Sequence, residues 1–469
     1  MALTNYPHQS QGEKDLAAHP YFGLLWVMRS GKTRTTIRDI VSRGASGGII
    51  VTPNRNKGNW VRQVPQHSDG QLKVLSPEGT IQERIEQIRK AKHDVYVLNV
   101  EALPYMADFL KSQPWPFFTI DESTAIKNHR ALRTKVASAS RAPVRRILSG
   151  LPNPNSPMDL YSQFTFLEPH LLGGNYWRFQ DHFAIMGGFN RKEVVGFKNL
   201  EELYHIIAPY HSQVGEDALD ILPTLPPVDV DVPLEGKVLK HYLELRDELR
   251  TWWADGDELK ARTAITQILR LSQVAGGLLQ NGERTEWIPD NPKVQVLDDM
   301  LEEIIIGPKD KVIVVAIYRG EIGALRDRYA KKYCARAIYG EEKQKDTDRY
   351  WQEFQTPEDP TRVMIVQPHS GGQGLELHAA RTVIYYTGDF SLEAYQQVKW
   401  RAQQIGNKKA VRVFHLMARL PNQKGRKQTS IDETRYRVLA KKMRTAGEFM
   451  RKAFTNAELR EVVDEVLGE

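Results

Sequence analysis

The sequence predicts an α/β fold with two parallel-sheet lobes, a helical insertion between them and a helical C-terminal segment. Three observations predict it. Short runs rich in β-branched and aromatic residues alternate with helix-compatible stretches in both halves of the chain. The segment between the halves has helical periodicity instead. At 469 residues, the chain is also too long for one hydrophobic core and suits two or three domains.

The first lobe is predicted over residues 1–205. Its β-rich runs are short and are separated by polar segments, a pattern typical of a parallel sheet that helices cover on both faces. The predicted strands are residues 47–52, 94–99, 117–120 and 145–150.

Residues 206–290 are predicted to form the helical insertion. A proline-rich stretch from Leu222 to Pro227 breaks the chain there. Apolar residues then recur at helical spacing between Gly236 and Leu279, which predicts helices rather than strands.

The second lobe is predicted over residues 291–428, and C-terminal helices are predicted over residues 429–469. The predicted strands of this lobe are residues 312–317, 362–366 and 381–386. In the C-terminal segment, Ser430 with Glu433 has the capping-box spacing, in which two side chains satisfy the free amides at a helix start. Thr455 with Glu458 repeats this spacing.

Composition restricts the class of protein. The hydrophobic and charged fractions, 41% and 26%, are ordinary for a soluble globular protein. The longest apolar runs are far shorter than the roughly 18 residues that a membrane helix needs, and the first residues do not resemble a secretory signal. The single cysteine, Cys334, cannot form an intramolecular disulfide. We therefore expect no membrane partner and a reducing, cytoplasmic environment.

Positive charge is concentrated near the C-terminus. The chain carries a net charge of +7, and residues 397–452 contain 16 Lys and Arg residues against three acids, so the remainder is net acidic. Such a concentration is typical of surfaces that bind the phosphate backbone of nucleic acids. Charge alone leaves one alternative open, a solvated basic face on a terminal helix.

A phosphate-binding turn is predicted early in the chain. Its candidate ATP-binding residues are Arg29, Ser30, Gly31, Lys32 and Thr33. In a strand-to-helix turn that ends in Gly-Lys-Thr, backbone amides and the helix dipole attract phosphate. Lys32 would contact the β- and γ-phosphates, and the Thr33 hydroxyl would coordinate Mg²⁺. The full pattern has glycine at position 26, where this chain has Trp26, so the tripeptide alone does not establish the site.

Asp121 and Glu122 directly follow an apolar run, at the end of a predicted strand. Mg²⁺ keeps several waters and needs only one or two carboxylates, so Asp121 is the predicted metal ligand. Glu122 is then placed to orient or deprotonate the attacking water. The alternative is a surface Asp-Glu pair, which the apolar run disfavours.

In this order, the motifs resemble those of superfamily-two helicases and, within them, the Swi/Snf-type translocases of double-stranded DNA. The resemblance covers most of the chain, from about Tyr6 to Lys442. Its most specific stretch is Asp121–Asn128, where the Asp-Glu box continues into an Ile-Lys-Asn tail. The compact chain and its Asp-Glu-Ser-Thr box indicate the small bacterial or phage branch of the family.

The resemblance implies nucleotide contacts from both lobes. Tyr6 and Gln9 are similar to the adenine-reading motif that precedes the phosphate loop. In the second lobe, Gly374 and Glu376 belong to a segment that resembles the glycine-rich fifth motif. Arg401 occupies the first arginine position of the sixth motif, and we expect it to be catalytic together with Lys32 and Glu122.

The resemblance also assigns residues to the nucleic acid. The expected backbone contacts are Pro53, Asn54, Asn99, Lys127, Asn128, Ser370 and Gly371. Trp60 and Trp400 are candidates for stacking on bases, with packing in the core as the alternative.

The function implied by the resemblance is that of an ATP-dependent motor with two RecA-like lobes and a C-terminal brace helix. Its expected cofactors are ATP and Mg²⁺, and its expected partner is duplex or branched DNA rather than single-stranded DNA or RNA. Replication or recombination proteins are further expected partners, in the cytoplasm of a bacterium or a phage-infected host.

Gln404 departs from the family pattern. It occupies the second arginine position of the sixth motif, which the family uses to reach the γ-phosphate. Such an arginine can raise the rate of phosphoryl transfer by about 10³–10⁵-fold, and glutamine brings no charge. Hydrolysis is then slow unless Lys408 or Arg412 substitutes. The alternative function is a DNA-binding scaffold that binds ATP but hydrolyses it weakly.

Restoring the arginine tests this expectation. If Gln404 limits turnover, Gln404→Arg should raise the DNA-stimulated ATPase rate by up to about 10³-fold, because a positive charge returns to the γ-phosphate. Steady-state phosphate release measures the rate, and Asn407→Arg adds the same charge nearby as a control. A fast parent with no gain in Gln404→Arg would show that another cation serves.

Overall fold

The protein is described by a computed structural model over residues 5–150, 156–187, 193–215, 218–219, 225–254, 260–281, 284–340, 342, 344–368, 377–403, 410–422 and 428–447. These residues divide near residue 220 into two compact units, here called the first lobe (through residue 219) and the second lobe (from residue 225). The two-lobed α/β prediction is confirmed.

The strands and helices of the described residues are as follows. The strands are β1 (Tyr21–Trp26), β2 (Gly48–Thr52), β3 (Val74–Leu75), β4 (Val95–Asn99), β5 (Phe117–Asp121), β6 (Val144–Leu148), β7 (Ala184–Gly187), β8 (Glu193–Phe197), β9 (His211–Val214), β10 (Val228–Pro233), β11 (Leu278–Asn281), β12 (Arg284–Trp287), β13 (Val312–Val315), β14 (Arg336–Ile338), β15 (Val363–Val366), β16 (Thr382–Tyr385) and β17 (Arg412–Arg419). The helices are α1 (Pro7–Ala18), α2 (Lys32–Ser42), α3 (Lys57–His67), α4 (Ile81–Lys90), α5 (Ala107–Ser112), α6 (Leu132–Ser138), α7 (Leu160–Leu167), α8 (Tyr176–Phe183), α9 (Leu200–Ile207), α10 (Gly236–Ala254), α11 (Lys260–Ala275), α12 (Pro292–Ile304), α13 (Arg319–Tyr333), α14 (Gln344–Gln355), α15 (Leu392–Ala402) and α16 (Ile431–Gly447).

The first lobe is built on a seven-stranded sheet in the order β3-β4-β2-β5-β6-β1-β9. All neighbouring strands in it are parallel. Side chains alternate between its faces: Ile49 and Val51 of β2 pack into one apolar cluster, and Ile50 packs into the other. Because helices cover both faces, central strands such as β2 appear in the sequence as nearly continuous apolar runs.

The second lobe contains a six-stranded parallel sheet in the order β10-β17-β16-β13-β15-β14. Its three predicted strands correspond to β13, β15 and β16. A separate apolar cluster joins α10, α11 and α16 through residues such as Tyr242, Leu271 and Ile431. These helices therefore pack within the second lobe.

The structure divides the chain differently from the prediction of a separate insertion over residues 206–290. Residues 211–214 form β9, which pairs with β1 in the first sheet. Residues 228–233 form β10, which pairs with β17 in the second sheet. The helices α10 and α11 are real, but both lie in the second unit. Short edge strands with polar residues carry little apolar signal, so the sequence pattern did not show them.

The helix at residues 431–447 also belongs to the second unit. Its predicted capping box is present: the Ser430 amide donates to Glu433 Oε2 (3.0 Å), and the Glu433 amide donates to Ser430 Oγ (3.3 Å). The second predicted capping box, Thr455 with Glu458, lies outside the described residues. Among the helices that are described, none is long and apolar enough to cross a membrane.

Buried charges hold this helix in place. Lys293 Nζ at the start of α12 contacts Asp432 Oδ2 at 2.7 Å and donates to the Tyr386 carbonyl at 2.8 Å. Arg435 Nη1 donates to Asp432 Oδ1 at 2.6 Å, and all three charged side chains are at most 1% exposed. Burial alone would raise the pKa of Asp432, but the charges of Lys293 and Arg435 hold it below its usual value.

Breaking this pair should destabilise the second lobe. Lys293→Met leaves the Asp432 carboxylate buried without its ammonium partner, so we expect the free energy of unfolding to fall by about 3–5 kcal/mol. Urea denaturation followed by circular dichroism measures the loss. Lys332→Met is the matched control: it removes an exposed ion pair with Glu302, and the expected loss is about 0–1 kcal/mol. A loss in Lys293→Met no larger than in the control would contradict the role of this network.

Candidate nucleotide and nucleic-acid site

The candidate residues of the first lobe converge on one edge of its sheet. Because the strands are parallel, their carboxyl ends lie at the same edge, where ligands of open α/β sheets bind. The phosphate loop follows β1, Pro53 follows β2, Asn99 ends β4, and Asp121 ends β5. Thr52 and Asn99 are direct neighbours in the register of β2 and β4.

The phosphate loop leads directly into α2, which begins at Lys32. Gly31 precedes it with φ of 88° and gives the helix no side-chain cap, so the first amides of α2 keep their capacity to bind an anion. Arg29 has φ of 64°, a left-handed conformation that costs a residue other than glycine about 1–2 kcal/mol. Thr33, the second residue of α2, is partly exposed. Strained backbone conformations of this kind cluster at functional sites.

The Lys32 ammonium lies against the loop itself. Its Nζ donates to the carbonyl oxygens of Trp26 (2.7 Å) and Val27 (3.0 Å). Burial of the ammonium lowers the pKa of Lys32, while the negative charges of Glu122 and Asp121 oppose that shift. Lys32 is therefore close enough to Asp121 and Glu122 to interact with them, as the sequence motifs predicted.

Trp26 occupies the position where the full phosphate-loop pattern has its first glycine. It is the last residue of β1 and is 1% exposed. Its ring fills the space beside Gly12 of α1, where any side chain would collide with it. Its Nε1 donates to Ser212 Oγ of β9 at 2.9 Å. Position 26 is therefore strand and core here, and the turn begins after it.

Of the two predicted adenine-reading residues, Gln9 contacts the phosphate loop. Gln9 is 5% exposed, and its Nε2 donates to the Ser30 carbonyl at 3.0 Å. Its Oε1 accepts the Tyr6 amide at 3.2 Å, and the Tyr6 ring stacks on His8. Gln9 thus positions the loop, and its contact with adenine stays a prediction.

Asp121 is the most tightly held residue of the site. It is 6% exposed, and its Oδ2 accepts three hydrogen bonds, from Thr52 Oγ1 (2.9 Å), Asn56 Nδ2 (2.6 Å) and Trp60 Nε1 (2.8 Å). Its Oδ1 accepts the Glu122 amide at 3.1 Å. Because Oδ2 already has three donors, Oδ1 is the oxygen with capacity left for a metal ion.

Glu122 adopts a left-handed backbone conformation, with φ of 51°. It caps a short 3-10 segment, Ser123–Ile126, which leads to Lys127 and Asn128. Strained conformations of this kind cluster at functional sites, where the surrounding structure enforces them. The chain turns sharply at Glu122, between the metal-ligand candidate Asp121 and the nucleic-acid candidates Lys127 and Asn128.

The residues present fit Mg²⁺ and ATP. Mg²⁺ prefers oxygen ligands, and the Asp121 carboxylate and the Thr33 hydroxyl supply them. The uncapped start of α2 and the Lys32 ammonium are suited to the phosphates. Assignment of these residues to metal and nucleotide remains a prediction from their chemistry.

The nucleic-acid candidates of the first lobe lie on the same edge. They differ in solvent exposure and in their contacts with other side chains. Asn54 and Asn128 are exposed. Asn99 is engaged: its Oδ1 accepts Arg84 Nη1 (3.0 Å), and its Nδ2 donates to Glu101 Oε2 (2.9 Å). Lys127 Nζ is 3.6 Å from an Asp159 carboxylate oxygen. Pro53 is partly buried before the 3-10 turn at Asn54–Asn56.

Several residues at this edge have roles that the sequence motifs did not predict. Asn56 and Trp60 donate to Asp121, and Trp60 is fully buried, so it packs in the core and does not stack on bases. Lys57 and Arg84 lie close enough that the charge of Arg84 adds to burial in lowering the pKa of Lys57.

The second lobe is described only in part at its predicted site. Arg401 ends the buried face of α15 and is 6% exposed, and Trp400 beside it is 4% exposed, which makes Trp400 a packing residue. Arg412 begins β17 and donates to Thr382 Oγ1 at 3.4 Å. It therefore lies at the amino end of its strand, opposite the ligand-binding edge of a parallel sheet. Ser370, Gly371, Gly374, Glu376, Gln404 and Lys408 lie outside the described residues.

Several cations of the basic C-terminal segment already have acidic partners. Arg419 Nη2 lies 2.6 Å from an Asp231 carboxylate oxygen, and Arg419 also pairs with Glu433. Arg435 is buried against Asp432. Of these acids, Asp432 and Glu433 already enter the charge counted for the segment, whereas Asp231 lies outside it and offsets one further positive charge.

Two domain families match the chain, in the order of its lobes. The SNF2-related domain matches residues 15–232, and the helicase conserved C-terminal domain matches residues 292–406. Together they include the phosphate loop, the Asp-Glu box and Arg401.

Individual relatives are distant. The "Probable ATP-dependent DNA helicase CHR12" of Arabidopsis thaliana is 26% identical over 422 residues, which are 83% of this chain and 37% of that protein. An "Uncharacterized ATP-dependent helicase MG018" of Mycoplasma genitalium is 22% identical over 79% of this chain and 35% of its own length. The "Putative protein p41" of Acyrthosiphon pisum secondary endosymbiont phage 1 is 24% identical over 84% of this chain and 89% of its own length.

The chain thus spans well under half the length of the first relatives that it matches, from 36% to 42% for three plant proteins. Among solved structures, the Sulfolobus solfataricus SWI2/SNF2 ATPase core in complex with dsDNA aligns over 99% of this chain and 97% of that chain, at 20% identity and a TM-score of 0.42.

Removing the indole N–H that holds Asp121 should weaken metal binding. We expect Trp60→Phe to raise the Mg²⁺ concentration needed for nucleotide binding by about 10-fold, because hydrogen-bond partners of metal ligands typically contribute about 10–100-fold to metal affinity. Titrating Mg²⁺ against binding of a fluorescent ATP analogue measures this.

Trp115→Phe is the matched control for this experiment. It also removes a buried indole hydrogen bond in the first lobe, from Trp115 Nε1 to the Leu110 carbonyl at 2.8 Å, but it does not touch Asp121. Equal Mg²⁺ requirements in the two variants would rule out a specific role for Trp60.

Proposed function

The chain belongs to the SNF2-related helicases, and on this premise we propose that it is an ATP-dependent motor that translocates on duplex or branched DNA. One observation carries the proposal. Asp121, the metal-ligand candidate, accepts hydrogen bonds from Thr52, Asn56 and Trp60. The nucleic-acid candidates Pro53 and Asn54 lie in the same short segment, between the first two of these donors.

The proposed coupling runs through a few residues. Thr52 ends β2 and contacts Asp121, Asn54 is exposed two residues later, and Asn56 donates back to Asp121 Oδ2. DNA that binds at Pro53 and Asn54 therefore acts on the 3-10 turn whose other end orients the carboxylate. This arrangement supports an ATPase whose turnover depends on DNA.

The chemistry of hydrolysis follows from the residues beside this turn. Lys32 neutralises charge on the phosphates, and the start of α2 supplies amides to them. Glu122, which directly follows the metal-ligand candidate Asp121, accepts a proton from the attacking water. When Mg²⁺ is bound, it supplies charge neutralisation at the phosphate oxygens.

DNA as the substrate is supported by the names of the relatives, several of which are DNA helicases or chromatin-remodelling ATPases. Backbone contacts of the kind predicted here do not read sequence, so affinity should depend steeply on salt. We place the motor in a bacterial or phage-infected cytoplasm, where replication and recombination proteins are the partners that its substrate suggests.

A DNA-binding scaffold with weak hydrolysis is the second candidate function. Gln404 favours it, since the sixth motif lacks its second arginine. Arg412 does not replace that arginine, because it starts its strand at the amino edge of the second sheet. The motor and the scaffold would use the same nucleotide site, and they differ in the rate of ATP hydrolysis.

An ATPase assay with a panel of nucleic acids decides between them. We expect duplex and branched DNA to stimulate phosphate release, with smaller effects of single-stranded DNA and RNA. Glu122→Gln should lower the stimulated rate by at least about 100-fold, because it removes the base that accepts the proton. It should leave binding of a fluorescent ATP analogue intact.

The outcomes separate the proposals. Stimulation by RNA alone would overturn the DNA assignment. DNA binding without stimulation by any nucleic acid would favour the scaffold. An active Glu122→Gln variant would exclude Glu122 as the base.

A further inference from the structure

A cleft of about 910 Å³ opens in the first lobe next to the Asp-Glu box, and nothing in the proposed ATPase chemistry uses it. Lys127 and Asn128, the predicted backbone contacts, form part of its wall. The other walls come from the start of α8 and the residues before α7. Its volume falls in the range of small-ligand sites, about 300–1,000 Å³, and is sufficient for a nucleotide.

Aromatic rings line this cleft. His129 stacks on Tyr176 with ring centres 3.5 Å apart and planes inclined by 14°. Trp177 meets the edge of His129 at 6.0 Å, and its side chain lies on the surface with the residue 55% exposed. The other tryptophans considered for stacking, Trp60 and Trp400, are buried. Of these three tryptophans, Trp177 is the one that is exposed and can stack on a base.

The rings are held in place before any ligand binds. Asn175 Oδ1 caps α8 by accepting the amides of Trp177 (2.9 Å) and Arg178 (3.3 Å), which fixes the first turn that carries both rings. Tyr176 packs edge-on against the buried Tyr161 at 5.3 Å. A rigid platform of this kind loses little conformational entropy when it binds a flat ligand.

The charged side chains around the cleft are compatible with a nucleotide whose base points into the cleft. The Arg130 guanidinium lies 5.2 Å from the Trp177 ring centre, and Arg130 and Asn128 are exposed. Asp159 and Asp181 also line the cleft and offset the charges of Lys127 and Arg130. A cleft without strong net charge suits an uncharged base, while the exposed cations and amides suit the phosphates that flank it.

We infer that this aromatic cleft binds an unpaired base of DNA by stacking it on Trp177. The inference rests on the proposed function and narrows its substrate. Bases inside a duplex are already stacked and paired, so a stacking site gains energy only from a base that is out of the helix. The motor is therefore selective for duplex DNA that carries a single-stranded arm, such as a fork or flap, over a blunt duplex.

The test compares two DNAs and three variants without ATP. The DNAs are a blunt duplex and the same duplex with a single-stranded arm that contains 2-aminopurine. Fluorescence anisotropy gives the dissociation constants, and quenching of 2-aminopurine reports stacking. The variants are Trp177→Ala, Trp177→Phe and, as a control, Tyr105→Ala, which removes another exposed ring of the same lobe, 75% exposed and outside the cleft.

We expect Trp177→Ala to weaken binding of the armed duplex by about 5- to 150-fold, the effect of losing one stacked base, and to abolish the quenching. Binding of the blunt duplex should not change. Trp177→Phe should retain most of the preference, since it keeps an aromatic face, and Tyr105→Ala should match the parent. Circular dichroism confirms that the variants fold.

Unchanged binding of both DNAs by Trp177→Ala would overturn the inference and leave the proposed motor standing; the cleft would then serve a different ligand, such as a protein segment. Equal loss on both DNAs would also overturn it, because Trp177 would then contact the duplex. A parent that binds neither DNA would instead refute the proposed function itself.

Discussion

The buried carboxylate of Asp121 is the constraint on which the candidate site of the first lobe depends. A charged oxygen removed from water is costly unless donors replace its hydration. Here the donors come from Thr52, Asn56 and Trp60, so the end of β2 and the start of α3 must lie against the end of β5. The same packing that satisfies the charge joins the predicted metal site to the predicted DNA-contact segment.

In the second lobe, buried charges are also compensated by partners, but there they hold a helix in place. Lys293, Asp432 and Arg435 compensate one another in the interior, where α16 packs on α11 and the start of α12. Arg435 Nη2 also reaches Ser272 Oγ of α11 at 2.5 Å. The buried charges of the second lobe hold α16 in place, whereas the Asp121 carboxylate lies at the sheet edge where a ligand is predicted to bind. Formal charge along the sequence therefore does not distinguish structural cations from those that meet a ligand.

The sequence was most informative where strands are buried on both faces. The runs at β2, β4, β5, β13, β15 and β16 are mainly apolar, and each was predicted; β6 was also predicted, although it contains the buried Arg145 and Arg146. The edge strands β9 and β10 are short and contain polar residues such as His211 and Asp229, so their segment was assigned to a helical insertion. An edge strand needs only one neighbour and one buried face, and its sequence is correspondingly less restricted.

By itself, the sequence determined the two-lobed fold and predicted the phosphate loop at Lys32 and the acidic pair at the end of β5, because these depend on local order and on periodicity. Only the tertiary structure decided what each tryptophan does. Trp26 closes the core beside the loop, Trp60 donates to Asp121, and Trp177 faces solvent above His129. The physical reason is that an indole's role depends on its exposure and its hydrogen-bond partner, and those partners lie 61 and 186 residues away for Trp60 and Trp26.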